Sequence, residues 1–185
     1  MRYIVGVLVV VVMLLFFITF AVGPKDKKSK TAPKPIDLMS YVDKDSSVSL
    51  ITYGTLVGDD QRRAIKVTVT PYERRFEVLD GYEKNVGDIQ TYQNNKEAYA
   101  NFLSGLATAG FVKSKETNIK DPRGVCPMGN RFGYILIEGS TEKQNLWSVS
   151  CSSGVGSFAG QTTVTQQLFR NQITDYDTLV SGIRL

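Results

Sequence analysis

Residues 63–81 read RAIKVTVTPYERRFEVLDG, and this stretch decides the fold class. Ile65, Val67 and Val69 alternate with Lys66, Thr68 and Thr70, the two-residue period of a strand with one buried face. Beyond Pro71-Tyr72 the alternation resumes, with Phe76 and Val78 on one side and Arg75 and Glu77 on the other. So short a connection joins antiparallel neighbours. Asp80-Gly81 is a tight-turn pair that ends the second strand. Upstream, SSVSLITYGTL (46–56) has strand character, and LVGDDQRR (56–63), centred on Gly58-Asp59-Asp60, turns it back. The three segments predict an antiparallel meander.

Downstream the period changes. In NNKEAYANFLSGLATAGF (94–111), Tyr99, Phe102, Leu103, Leu106 and Ala109 recur at three- and four-residue spacing, the apolar stripe of a helix. Asn94 or Asn95 can cap its start and Gly110 its end. RFGYILIEG (131–139) and NLWSVSCS (145–152) predict a second strand pair, with Tyr134 and Leu136 on one face and Ile135 and Ile137 on the other. TTVTQQLFRNQI (162–173) reads as a closing helix, with Val164, Leu168 and Phe169 inward and Thr162 or Thr163 as cap. TDYDTLVSGIRL (174–185) predicts a short helical tail. Strands, helix, strands, helix is the order of an α+β domain. The expectation is an antiparallel sheet of about five strands with two helices packed on one face.

The N-terminus belongs to a different class. YIVGVLVVVVMLLFFITFAV (3–22) holds no charge over a length that spans the bilayer core as a helix. A cleaved signal peptide is the competitor, but the run is long for one and Pro24 follows the small residues. The division expected is a transmembrane anchor at 1–23, a Lys/Pro-rich linker at 24–40 and a folded domain at 41–185. The chain carries 22 Lys and Arg against 18 Asp and Glu. The excess lies in residues 1–35, so the stalk is basic and suits anionic lipid head groups. The domain is near neutral. Arg62-Arg63 and Arg74-Arg75 are its only basic pairs, which argues against nucleic acid as a partner.

There is no histidine, which excludes Ser-His-Asp and Cys-His catalysis. Acid–base work would fall to Glu73, Glu77, Asp80, Glu83 and Asp88; Glu73 and Glu77 are expected outward and solvated. The glycine-rich CSSGVGSFAGQTT (151–163) precedes a helix, where backbone N–H groups can hold an anion, but it lacks the Lys-Ser/Thr ending of a P-loop. Arg131 can clamp a carboxylate or phosphate, or pair with an acid of the domain. The two cysteines, Cys126 in RGVCPMGNRF and Cys151 in WSVSCSSG, cannot make a zinc site. They are read either as a disulfide, which suits an exported domain, or as two unrelated buried thiols. A regular strand puts Trp147, Val149 and Cys151 on one face, with a buried sulfur near Trp147.

The series GYEKNVGDIQTYQNNKEAYANFLSGLATAGF, DPRGVCPMGNRFGYILIEG and LWSVSCSSGVGSFAGQTTVTQQLFRNQITDYDTLV resembles a group of uncharacterised membrane-anchored proteins of saccharibacteria and related small-genome bacteria. The shared features are the C-P-x-G-N-R, L-W-S-x-S-C and L-F-x-x-Q-I-x-D-Y segments across most of residues 40–180. The resemblance brings no activity with it. It implies an extracytoplasmic domain with Cys126 and Cys151 paired. Against this orientation, five lysines follow the apolar segment and only Arg2 precedes it, the bias of a cytoplasmic flank. Long domains are translocated largely regardless of such charge. The function expected is non-enzymatic binding at the cell envelope, without cofactor or metal, to an envelope protein or wall polymer. Its expected surface comprises Arg123, Asn130, Arg131, Gly154, Gly156 and Ser157, held together by the disulfide. The alternatives are a structural subunit of a surface assembly and a carboxylate-based envelope-polymer hydrolase.

Overall fold

A computed structural model of the chain describes residues 35–82, 85–152 and 154–185. The expected transmembrane segment and most of the linker lie outside the described residues, as does Glu83. Among the described residues no helix is long and apolar enough to cross a membrane.

Residues Ile36–Leu185 form one compact α+β unit. A 3-10 turn, Leu38–Tyr41, leads into strand β1, Ser46–Tyr53; then come β2, Arg63–Val69, β3, Glu73–Asp80, and β4, Asn85–Gln93. Helix α1, Lys96–Ala109, separates these from β5, Arg131–Glu138, and β6, Thr141–Val149; α2, Thr162–Arg170, and the short α3, Tyr176–Val180, close the chain. The six strands form one sheet in the order β4-β3-β2-β1-β5-β6, with every neighbouring pair antiparallel. The segment expected as the end of the linker carries Leu38 into the core.

The meander forms as its alternation dictates. Val48, Leu50, Ile65, Val67, Val69, Phe76 and Val78 point to one face, where α1 supplies Tyr99, Phe102, Leu103 and Leu106 and α2 supplies Phe169. Asn95 caps α1 by accepting a hydrogen bond from the Ala98 amide, and Gly110 closes it at φ 76°, a backbone state that glycine adopts without penalty. Aromatic rings fill the space between the layers: Phe102 meets Phe169 edge-on at 5.1 Å, and Tyr134 stacks on Phe158 at 3.9 Å. Each fully buried Leu or Phe contributes about 1.5–3 kcal/mol by leaving water. The opposite face carries a smaller apolar group, Ile51, Tyr53, Ala64 and Leu79.

Five sequence expectations change. The sheet has six strands, not about five, because NVGDIQTYQ forms an edge strand that leaves nearly every residue exposed; a strand wet on both faces needs no apolar alternation. β6 begins at Thr141, so Gly139-Ser140 is a two-residue hairpin turn with Gly139 at φ 56°. In α2 Val164 is exposed, and Thr165 and Phe169 are the buried residues. Gln161, not Thr162 or Thr163, is the N-cap, and it makes no side-chain cap. Glu77 is buried rather than solvated, between Lys66 at 3.6 Å and Arg75 at 3.8 Å.

Candidate functional site

The two cysteines are bonded. Cys126 and Cys151 form a disulfide with Cα atoms 5.8 Å apart. It is not buried beside Trp147 as a regular strand would place it. β6 ends at Val149, the chain bends, and Cys151 is exposed. Backbone pairing runs alongside the bridge: the Ser150 amide donates to the Asn130 carbonyl at 2.9 Å, and the Asn130 amide donates to the Ser150 hydroxyl at 2.9 Å. Cys126 itself sits at φ 63°, an uncommon state for a residue with a side chain.

Beyond Cys151 the glycine-rich segment folds back along β6. Gly156 pairs with Ser148, the Phe158 amide donates to the Trp147 carbonyl at 3.0 Å, and the Trp147 amide donates to the Ser157 hydroxyl at 3.1 Å. On its other side the segment meets residues 113–115, through the Lys115 amide to the Ser157 carbonyl and the Ala159 amide to the Lys113 carbonyl, both 2.9 Å. Gly156 is required here. At φ +123° a Cβ would stand 2.2 Å from the Trp147 carbonyl oxygen.

This strap walls a cleft of about 490 Å³ whose lining includes Phe132, Ser148, Gly154, Phe158, Thr162 and Gln166. The Lys115 ammonium lies at its rim, donating to the Gly154 carbonyl. Ser148 lines it, with its hydroxyl 2.9 Å from that of the buried Tyr134 behind. Burial pushes the Tyr134 phenol up, and hydrogen bonding to Ser148 opposes this. The Gln166 amide nitrogen is buried beside the Tyr134 hydroxyl and acts on it as a donor, at a geometry short of a full hydrogen bond.

The six residues expected as one surface are thus divided. Gly154 lines the cleft, while Gly156 and Ser157 hold the strap. Asn130 uses its backbone to fix the bend at Ser150. Arg123 is exposed and grips Asp121, its Nη2 2.7 Å from a carboxylate oxygen. That contact holds the Asp121 carboxyl at about 2, below its usual range. Arg131 points to the opposite sheet face, its guanidinium 3.6 Å from the centre of the Tyr53 ring. Sequence reasoning missed Lys115, Ser148 and Gln166 because the cleft is assembled from four separate segments.

The basic pairs form no patch. Arg63 pairs with Asp80 at 2.8 Å, Arg74 donates to the Gln93 and Gln172 carbonyls, and Arg62 is buried. The carboxylates of β3 are neutralised in the same way, Glu73 by Arg75 at 2.5 Å and Asp80 by Arg63. Among the described residues no group of three or more acidic or sulfur side chains is placed to hold a metal ion. No family model matches the chain, and no curated protein sequence matches it.

Proposed function

We propose that the chain is a membrane-tethered extracytoplasmic binding domain, non-enzymatic, that holds an envelope protein or a wall polymer in the cleft beside its disulfide. The cleft carries this reading. It is half apolar and half polar, large enough for a few residues or sugar units, and it is lined by the Gln166 amide and the Ser148 hydroxyl. The neighbouring disulfide supports an oxidising compartment. The apolar segment at 3–22 supplies the tether, and the lysines after it add attraction to anionic lipid.

Two measurements test this. On intact cells, a membrane-impermeant maleimide should label the cysteines only after reductant is added; no labelling in either condition overturns the exported location, and labelling without reductant overturns the disulfide. In a binding assay on envelope material with the full chain in detergent, Gln166→Leu and Lys115→Ala should lower retention while leaving the circular dichroism spectrum unchanged. Unchanged retention removes the cleft from the proposal. A second reading, a structural subunit, is favoured by the open β4 edge with Val86 and Ile89 exposed. It predicts a defined oligomer of this chain by mass measurement in detergent.

A further inference from the structure

On the sheet face opposite the helices, where β1 leaves the sheet, two arginines share one aromatic ring. Tyr53 ends β1 and lies directly across from Arg131, the first residue of β5. The Arg131 guanidinium lies 3.6 Å from the centre of the Tyr53 ring. The Arg62 guanidinium lies 5.9 Å from the same ring and 4.7 Å from that of Tyr82. Gly133 lies beside the Tyr53 ring, where a Cβ would make an ordinary contact at 3.5 Å.

Among the described residues these two arginines have no carboxylate at ion-pair distance, whereas Arg63, Arg75, Arg123 and Arg170 each hold one within 4.0 Å. Arg62 is only 7% exposed, donating from Nη1 to the Thr55 carbonyl at 3.1 Å. The nearby Asp121 feels Arg131 only weakly and is gripped by Arg123. A buried cation without a counter-anion is costly, and an arriving anion relieves that cost. Stacking on a ring leaves the guanidinium edge free to meet a planar acceptor in two places.

Around the two cations stand apolar side chains in the open: Leu56 47%, Val57 36%, Tyr82 42% and Met128 87% exposed. They form a fixed platform, because the Leu56 amide donates to the Pro127 carbonyl at 2.8 Å and the Tyr82 hydroxyl donates to the Val57 carbonyl at 3.2 Å. Arginine, tyrosine and methionine are the residue types enriched where proteins meet.

We infer that this platform binds an acidic segment of another protein, with carboxylates on the edges of Arg131 and Arg62 and an apolar side chain among Leu56, Val57 and Met128. A lipid surface fits less well. Head groups are met by projecting, mobile cations, whereas Arg62 is recessed and both guanidiniums are held against rings. The surface is independent of the cleft.

The test uses the full chain in phosphatidylcholine nanodiscs and follows the arginine side-chain N–H resonances. The probes are acetyl-Leu-Glu-Leu-Glu-Leu-amide and its Gln counterpart. The Glu peptide should shift the Arg62 and Arg131 signals saturably, at least about tenfold more tightly than the Gln peptide, a difference of about 1.4 kcal/mol. Arg131→Gln, at a partly exposed site, should lose that difference while the fold stands. Gln166→Leu in the cleft should leave it unchanged, which separates this surface from the proposed ligand cleft. Equal response to both peptides overturns the inference. So does a shift produced only by phosphatidylglycerol in the nanodisc, which would assign the surface to the membrane, or one reproduced by free glutamate at equal affinity, which would assign it to a small carboxylate.

Discussion

The two edges of the sheet are built in opposite ways. Along β6 the strap at residues 154–159 pairs with the strand on one side and with residues 113–115 on the other, and the disulfide anchors the bend where the strap begins. Among the described residues β4 has no such cover. Its residues are exposed along nearly its whole length, and it is interrupted by a register shift opposite Glu77–Leu79. An edge strand offers a row of unpaired backbone groups to any passing chain, and proteins manage that hazard by covering the edge or by bending and charging it. β6 is covered. β4 is bent, and it carries Asp88. The covered edge is also the one that makes a cleft, since the strap that closes the ladder leaves a hollow between itself, β6 and the start of α2.

Three measurements sharpen or break this contrast. The largest effect is expected at the strap. Gly156→Ala combines an unfavourable backbone state with a clash against the Trp147 carbonyl, and should cost about 4 kcal/mol in denaturant unfolding. A loss below about 1 kcal/mol would mean that the strap shifts freely and does not hold the edge. Next comes the disulfide. Reduction, or replacement of both cysteines by serine, should cost about 3 kcal/mol and lower the melting temperature by about 6–12 °C for a domain of this size. Hydrogen exchange should then quicken in β6 and the strap while β2 and β3 stay protected; uniform loosening would contradict a local brace. The smallest effect belongs to β4. Val86→Lys and Ile89→Lys should each change stability by no more than about 0.5 kcal/mol. A loss above 2 kcal/mol would show this edge to be covered after all.

The contrast also explains what could be read in advance. The meander, α1 and β5 were legible because each buries one face, and burial writes a period into the residues: Ile65, Val67 and Val69 in a strand, and Tyr99, Phe102, Leu103 and Leu106 in a helix. β4 was illegible because neither of its faces is buried, and the first half of β6 because Thr141–Lys143 is exposed. In α2 the inward side chain is Thr165 where hydropathy points to Val164. The site was partly legible. The glycine-rich segment does line a cleft, and the cysteines are joined. The pairing of Arg62 and Arg131 on Tyr53 was not, since it depends on which strands lie side by side, and local spacing carries no record of that.

Ser46 has a mechanical consequence. Its hydroxyl donates to the Tyr41 carbonyl at 2.9 Å and meets the Tyr99 hydroxyl at 2.9 Å, riveting the entry turn to α1 at the point where β1 begins. β1 lies in the interior of the sheet, hydrogen-bonded to β2 on one flank and β5 on the other. Tension arriving through the residues that precede Ile36 therefore meets the buried Leu38 and then this rivet before it reaches two ladders, so the domain is gripped by its middle and not peeled from a margin.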